Sequence, residues 1–156
     1  MWSTLRAWIR PKTFKSSDLA CRVRASEHCI TVTADLPGRM RVGRLVAQRK
    51  EALPDMSWVA RLPRLDKLPI VVVSDMKVDP RFRRRGIGRA IANALLAEVS
   101  RTGEESLILG WVKTPVARQF WQSIGLSICG DAMYGKTSEL INRHAPEKGL
   151  TQRKRG

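Results

Sequence analysis

The chain is poor in acid, histidine and tyrosine. Its 29 lysines and arginines face only 14 aspartates and glutamates, with 2 histidines and one tyrosine, Tyr134. Cys21, Cys29 and Cys129 are odd in number and form no Cys-x-x-Cys pair, which argues against a disulfide framework and a structural zinc site and for reduced thiols. No metal is expected. A cysteine nucleophile would need a histidine partner, but His28 directly precedes Cys29, and on a strand neighbouring side chains point to opposite faces. No apolar run approaches the roughly 20 residues of a membrane-spanning helix. Around Gly86-Ile87-Gly88 the familiar nucleotide signatures are incomplete as well. Arg89-Ala90 follows in place of the Lys-Ser/Thr that ends a Walker loop, and Ile91 stands where a dinucleotide fingerprint would place its third glycine.

What is present is a globular composition, 43% hydrophobic over 156 residues, with a formal net charge of +15. That length suits one domain with a real core. The charge favours polyanionic partners: nucleic acid, ribosomes, an anionic membrane surface or a phosphorylated cofactor. Near the start, Trp2, Leu5 and Ile9 fall at helical spacing beside Arg6 and Arg10. This is the pattern of a targeting or membrane-surface helix, or of an element docking its aromatic face on the domain. Pro11 ends it.

Apolar residues alternate with polar ones from Ile30 to Leu36, Pro37-Gly38 marks a turn, and Arg41 to Gln48 continues as a second strand of a hairpin. Glu51 to Lys67 holds two prolines, Pro54 and Pro63, and reads as an irregular connection. Leu68 to Val73 is an apolar run, β-branched from Ile70 and extended to Val78, the mark of a central strand covered on both faces. A helix follows, with Ile87, Ile91, Leu95 and Val99 four apart, closed by Thr102-Gly103. Ser106 to Val112 predicts a strand, and Thr114-Pro115 opens a helix that Gly125 ends. One or two closing strands reach about Leu140. The segment from Asn142 to Gly156 is basic and without apolar period, so disorder is expected there.

The chemistry is concentrated where the central strand hands over to the long helix. The first N–H groups of a helix lack partners and, with the helix dipole, form an anion site. Gly86 and Gly88 remove the Cβ that would keep the backbone from a phosphate. Arg83, Arg84, Arg85 and Arg89 surround the turn with fixed charge. A basic run of this kind also serves as a localisation or RNA-binding patch, but its position between strand and helix favours a phosphate site.

These residues resemble a family. Arg83-x-x-Gly86-x-Gly88, preceded by Met76-Lys77-Val78-Asp79-Pro80, is similar to the acyl-CoA-binding motif of the GNAT acetyltransferase superfamily. Thr114-x-x-Ala117-x-x-Phe120-Trp121-x-x-x-Gly125-Leu126 resembles its second motif, and the likeness spans Leu68 to Leu126. It implies an α/β fold with a mixed, mostly antiparallel central sheet, splayed central strands and flanking helices. A single domain would cover 1–141, with 1–29 a divergent N-terminal segment. Acetyl-CoA would be the co-substrate, its pantetheine held by Met76, Lys77 and Val78. Its pyrophosphate would lie on N–H groups of the turn from Arg83 to Arg89, Ile87 included. Thr114, Ala117, Phe120 and Trp121 would line the far side of the arm.

The implied activity is acetyl transfer to a primary amine of a protein, a small molecule or an aminoacylated RNA, in the cytoplasm. The positive charge favours a carrier such as tRNA or a ribosome. Two departures bear on catalysis. Trp121 stands where the family's acid is a tyrosine, and Val72 stands near the position of its usual glutamate base. Asp75 or Ser74 is then the candidate base and Tyr134 the candidate acid. Strand alternation puts Asp75 on the face opposite Val72 unless a bulge intervenes. The alternative reading is a catalytically degenerate acyl-CoA-binding or nucleic-acid-binding module of the same fold.

Overall fold

A computed structural model describes residues 18–38, 40–51 and 68–144. The alternating first half forms three antiparallel strands, β1 (Ala20–Ala25), β2 (Cys29–Leu36) and β3 (Met40–Lys50). The β-branched run becomes β4 (Ile70–Val78), antiparallel to β3. After it come α1 (Ile87–Val99), β5 (Leu107–Trp111), α2 (Pro115–Ile124), β6 (Ser127–Cys129), β7 (Ala132–Lys136) and α3 (Thr137–His144). The seven strands lie in the order β1-β2-β3-β4-β5-β7-β6, and β4 with β5 is the parallel pair. This is the mixed, mostly antiparallel α/β architecture that the sequence implied.

The main core lies between the sheet and α1. Ile30, Val32 and Ala34 of β2 and Leu45 and Ala47 of β3 meet Ile87, Ile91, Leu95 and Val99 of α1. Trp121, Ile124 and Leu140 extend it under the other helices. Close approach has a local cause: a Cβ on Gly43 would stand 2.6 Å from Ile91 Cδ1 and 3.2 Å from Ile87 Cγ2. On the opposite face Ile70, Leu107, Leu109 and Ala132 form a smaller cluster, with Val72 and Tyr134 packed against it.

Two details go beyond the expectations. Strand β1 lies within 1–29, which the sequence presented only as a divergent segment. Helix α3 runs on to His144, beyond the boundary placed at residue 141. Its start is fixed by Glu105, whose carboxylate accepts from the Ser138 N–H at 3.2 Å and from its hydroxyl. The amphipathic stretch from Trp2 to Arg10, the connection 52–67 and residues 145–156 lie outside the described residues.

Candidate active site

Strand β4 outruns its parallel neighbour. Register between β4 and β5 runs from Ile70↔Leu107 to Val73↔Gly110 and goes no further, although β4 continues to Val78. From Ser74 to Val78 the β5-facing edge of the central strand therefore has no neighbouring strand among the described residues. Backbone N–H and C=O groups on such an edge are a template for another extended chain. A shift in the β3 pairing accompanies the divergence: Val46 faces Asp75, but Ala47 faces Val73, so Ser74 is an extra, bulged residue. Its hydroxyl donates to Val46 O at 3.1 Å, which ties the bulge to β3.

At the end of that edge the chain turns through Pro80–Phe82, one turn of 3-10 helix capped by Asp79. Asp79 accepts from the Arg81 N–H at 3.0 Å and from Arg81 Nη2 at 2.7 Å. These hydrogen bonds from Arg81, side chain first, hold the Asp79 carboxyl below the usual carboxylate range. Arg83 Nε donates to Val78 O at 3.3 Å, and the guanidinium of Arg85 lies 5.7 Å from the Phe82 ring centroid. Arg84 is exposed at φ 61°, a left-handed conformation costing a non-glycine residue roughly 1–2 kcal/mol.

Gly86 is also left-handed at φ 79° and is the N-cap of α1, with no side chain to cap the helix. Within the helix the first N–H donated is that of Ala90, to Gly86 O at 3.0 Å. The N–H groups of Ile87, Gly88 and Arg89 ahead of it have no intrahelical acceptor. They open beside the free edge of β4 with arginines on both sides. Gly88 has a second role: a Cβ there would lie 3.0 Å from Phe120 Cε2 and 3.4 Å from Met76 Cε. The turn thus seats directly against α2 and β4. Arg89 Nη2 reaches Ser123 Oγ on α2 at 3.5 Å.

Thr114 caps α2, its Oγ1 accepting from the Ala117 N–H at 3.1 Å. Ala117 and Phe120 pack half-buried against the main core on the β4 side. Trp121 is only 5% exposed and stands edge-on to Phe120 with ring centroids 4.9 Å apart. It is a core residue with little surface for a ligand.

The bulge decides the orientation of Asp75. Because it inserts one residue, Asp75 shares the face of Val72 instead of opposing it, and pairs across with Val46. Its carboxylate is 3.8 Å from Lys77 Nζ. On the same face Val72, Leu109 and Tyr134 form one row across β4, β5 and β7. Two strand spacings, about 10 Å, separate the strands of Asp75 and Tyr134. The two candidates therefore flank the mouth of the gap. Ser74 is occupied by its bond to Val46 O.

This layout has known counterparts. Residues 64–133 match the family described as FR47-like protein. The structure resembles the AtaTR complex bound with acetyl-CoA, at a TM-score of 0.59 and 11% identity, over 82% of this chain and 99% of that one. It also resembles AtaT complexed with acetyl-methionyl-tRNAfMet, at 0.53 and 15%, over 74% of this chain and 75% of that one. An acetyltransferase described as of the GNAT family from Desulfovibrio desulfuricans aligns at 0.52 and 16%, over 70% and 68%. The chain has the GNAT fold. No curated protein matches it in sequence.

The divergence of β4 from β5 and the turn before α1 lie at the same end of β4, and the sequence pointed to both. It missed Gly43, whose only signal is an isolated glycine in a strand pattern. It also left Ser74 among the base candidates, where the register makes it the bulge. Among the described residues no group of histidine, cysteine and acid side chains is placed to hold a metal. No helix among them is long and apolar enough to cross a membrane.

Proposed function

We propose that the chain transfers an acetyl group from acetyl-CoA to an amine. The observation that carries this is the junction of two unpartnered backbone surfaces, the free edge of β4 and the uncapped first turn of α1. The first suits an extended amide-bearing arm and the second a diphosphate, in the order in which pantetheine and pyrophosphate follow one another in CoA. Met76, Lys77 and Val78 would hold the arm, with the N–H groups of Ile87, Gly88 and Arg89 on the pyrophosphate. Arg83, Arg84 and Arg85 would supply positive charge, and Ala117 and Phe120 would form the wall opposite Met76. Thr114 would contribute by fixing α2, and Trp121 by supporting Phe120 from the core.

In the reaction the amine nitrogen bonds to the thioester carbonyl carbon and the carbon–sulfur bond breaks. A backbone N–H at the bulge would polarise the carbonyl oxygen, a donor worth about 3–4 kcal/mol in comparable sites. Asp75, on the face of Val72, would take the proton from the incoming ammonium. Tyr134, across the gap, would donate one to the leaving thiolate. The acceptor class best supported is an amine on an anionic carrier in the cytoplasm, an aminoacylated tRNA or a ribosomal protein. Two facts favour it: the +15 net charge and the resemblance to AtaT, itself solved with an acetylated aminoacyl-tRNA.

Trp121 favours one alternative, an acyl-CoA-binding module that does not turn over, because a buried indole is no proton source. Thermal denaturation with acetyl-CoA tests the shared premise. Ligand at a hundred times its dissociation constant adds about 2.7 kcal/mol, a rise of about 5–10 °C for a chain of this size. Release of free CoA over an amine panel then separates enzyme from binder. An absent thermal shift removes both.

A further inference from the structure

The face of the sheet away from α1 carries a line of cations whose side chains the proposed acetyl-CoA site does not use, Lys77 lending that site its backbone alone. Register aligns Arg22 of β1, Thr33 of β2, Arg44 of β3 and Lys77 of β4 in one row across four strands. Strands lie about 4.8 Å apart, so Arg22 and Arg44 stand about 10 Å from each other with Lys77 one strand further on. The bulge that turns Asp75 also turns Lys77, since in a regular strand of the same sequence, with Ser74 in the ladder, both would share the α1-facing side of Val73. Arg41 joins the row from the position opposite Asp35.

These side chains are solvated and unequally neutralised. Arg22, Arg41 and Lys77 are 68%, 62% and 81% exposed. Asp35 is shared between two guanidiniums, 3.8 Å from Arg22 Nε and 3.5 Å from Arg41 Nε. Arg44 makes no ion pair among the described residues, and neither does Arg24 one row away. Where β3 begins and β4 ends, Arg41, Arg44, Lys77 and Asp79 line a shallow depression of about 180 Å³. A sheet face with three cations in one row across four strands has the charge complement of a phosphodiester backbone, not of a single small anion. Its end adjoins Asp75 and the mouth of the thioester gap.

We infer that the Arg22–Arg44–Lys77 face docks the phosphate backbone of a nucleic acid and so presents an attached amine to the acyl site. The docking itself stands on this face alone, while the presentation rests on the transferase reading above. RNA and DNA backbones share the recognised chemistry, and duplexes of one sequence in either form distinguish them.

The test is fluorescence anisotropy of the full chain with each labelled duplex, titrated from about 50 to 200 mM salt, the range over which backbone contacts are lost. R22Q/R44Q/K77Q is compared with R101Q/K113Q/R143Q, which has the same net charge but loses it from other surfaces. Near 0.15 M the Debye length is about 8 Å, so remote charges are screened. Removing the row should lower the slope of log K against log salt by about 2–3 and weaken binding at least tenfold. The control should stay within about twofold of wild type. Such a loss on either duplex supports the assignment, and the tighter duplex identifies the source. Equal losses in both variants, no duplex binding by wild type, or equal binding of polyglutamate would overturn it. The acetyl-CoA thermal shift is measured on the same samples, so failure of the cofactor reading shows separately.

Discussion

Valine at Gly88 tests the contact on which the cleft is built. The Cβ of a residue there would be 3.0 Å from Phe120 Cε2, 3.2 Å from Phe120 Cζ and 3.4 Å from Met76 Cε. Optimal carbon separations are about 3.5–4.0 Å. Alanine asks the half-buried Phe120 ring to move by a few tenths of an ångström. It also gains up to about 1 kcal/mol of helix propensity over glycine. G88A should therefore be close to neutral. Valine adds two γ-carbons that have to displace the ring, an overpacking cost of about 1–3 kcal/mol. For a chain of this length that lowers Tm by about 3–10 °C. The displaced ring enters the space beside Met76 proposed for the pantetheine arm, so acetyl-CoA affinity should fall at least tenfold. Combining G88V with F120L should recover part of both losses, with a coupling of about 0.5–3 kcal/mol. The readouts are calorimetric Tm and isothermal titration with acetyl-CoA. A G88V protein with wild-type stability and affinity, or a strictly additive double variant, refutes the reasoning.

Other perturbations separate the site's parts. D75N should reduce CoA release by about 10²–10⁴ while leaving the acetyl-CoA thermal shift intact; undiminished turnover removes Asp75 as the base. W121Y should bring no gain, because its hydroxyl enters the core and costs about 1–3 kcal/mol if unpaired; a tenfold rise in turnover contradicts that placement. G43A should cost about 1–3 kcal/mol, since its methyl meets Ile91 Cδ1 at 2.6 Å; an unchanged urea midpoint disproves that tight contact between β3 and α1. The Asp79 pKa is lower folded than its ordinary 3.8. Its contribution is therefore fully present above about pH 4 and lost as pH falls through the folded value. The stability difference between wild type and D79N should shrink below pH 4 in denaturant titrations, and a gap constant with pH argues against the Arg81 pairing.

The features legible in the sequence are those fixed by local chemistry. Thr114 and Pro115 start α2, and Gly125 ends it at φ 110°, because caps depend on residues within one turn. The apolar run from Leu68, β-branched from Ile70, foretold a central strand, since parallel pairing on one side and a helix above demand apolar residues on both faces. Strand β1 was hidden because Arg22 and Arg24 alternate with only Cys21 and Val23, and Val23 is itself exposed. Helix α3 was hidden because Glu105, far away in sequence, supplies the group that holds its first turn.

The orientation of Asp75 shows where such reading stops. Alternation is a rule about residues two apart, and it holds along β4 from Ile70 to Val73. One inserted residue then reverses it for everything downstream, and nothing in Val-Ser-Asp-Met-Lys announces the insertion. Its cause lies on β3, where Val46 and Ala47 face Asp75 and Val73. The same residue makes β4 bend away at the point where β5 stops pairing, because bulges increase local twist. One feature therefore opens the gap, brings Asp75 to the face of Tyr134, and sets Lys77 in line with Arg44 and Arg22. Deleting Ser74 should remove the bulge while keeping Asp75 opposite Val46 and Lys77 opposite Arg44, which separates the opening of the gap from the facing of the side chains. Acetyl-CoA binding should then fall while the salt-dependent affinity for duplexes stays, and loss of both in one step would refute this account of the bulge.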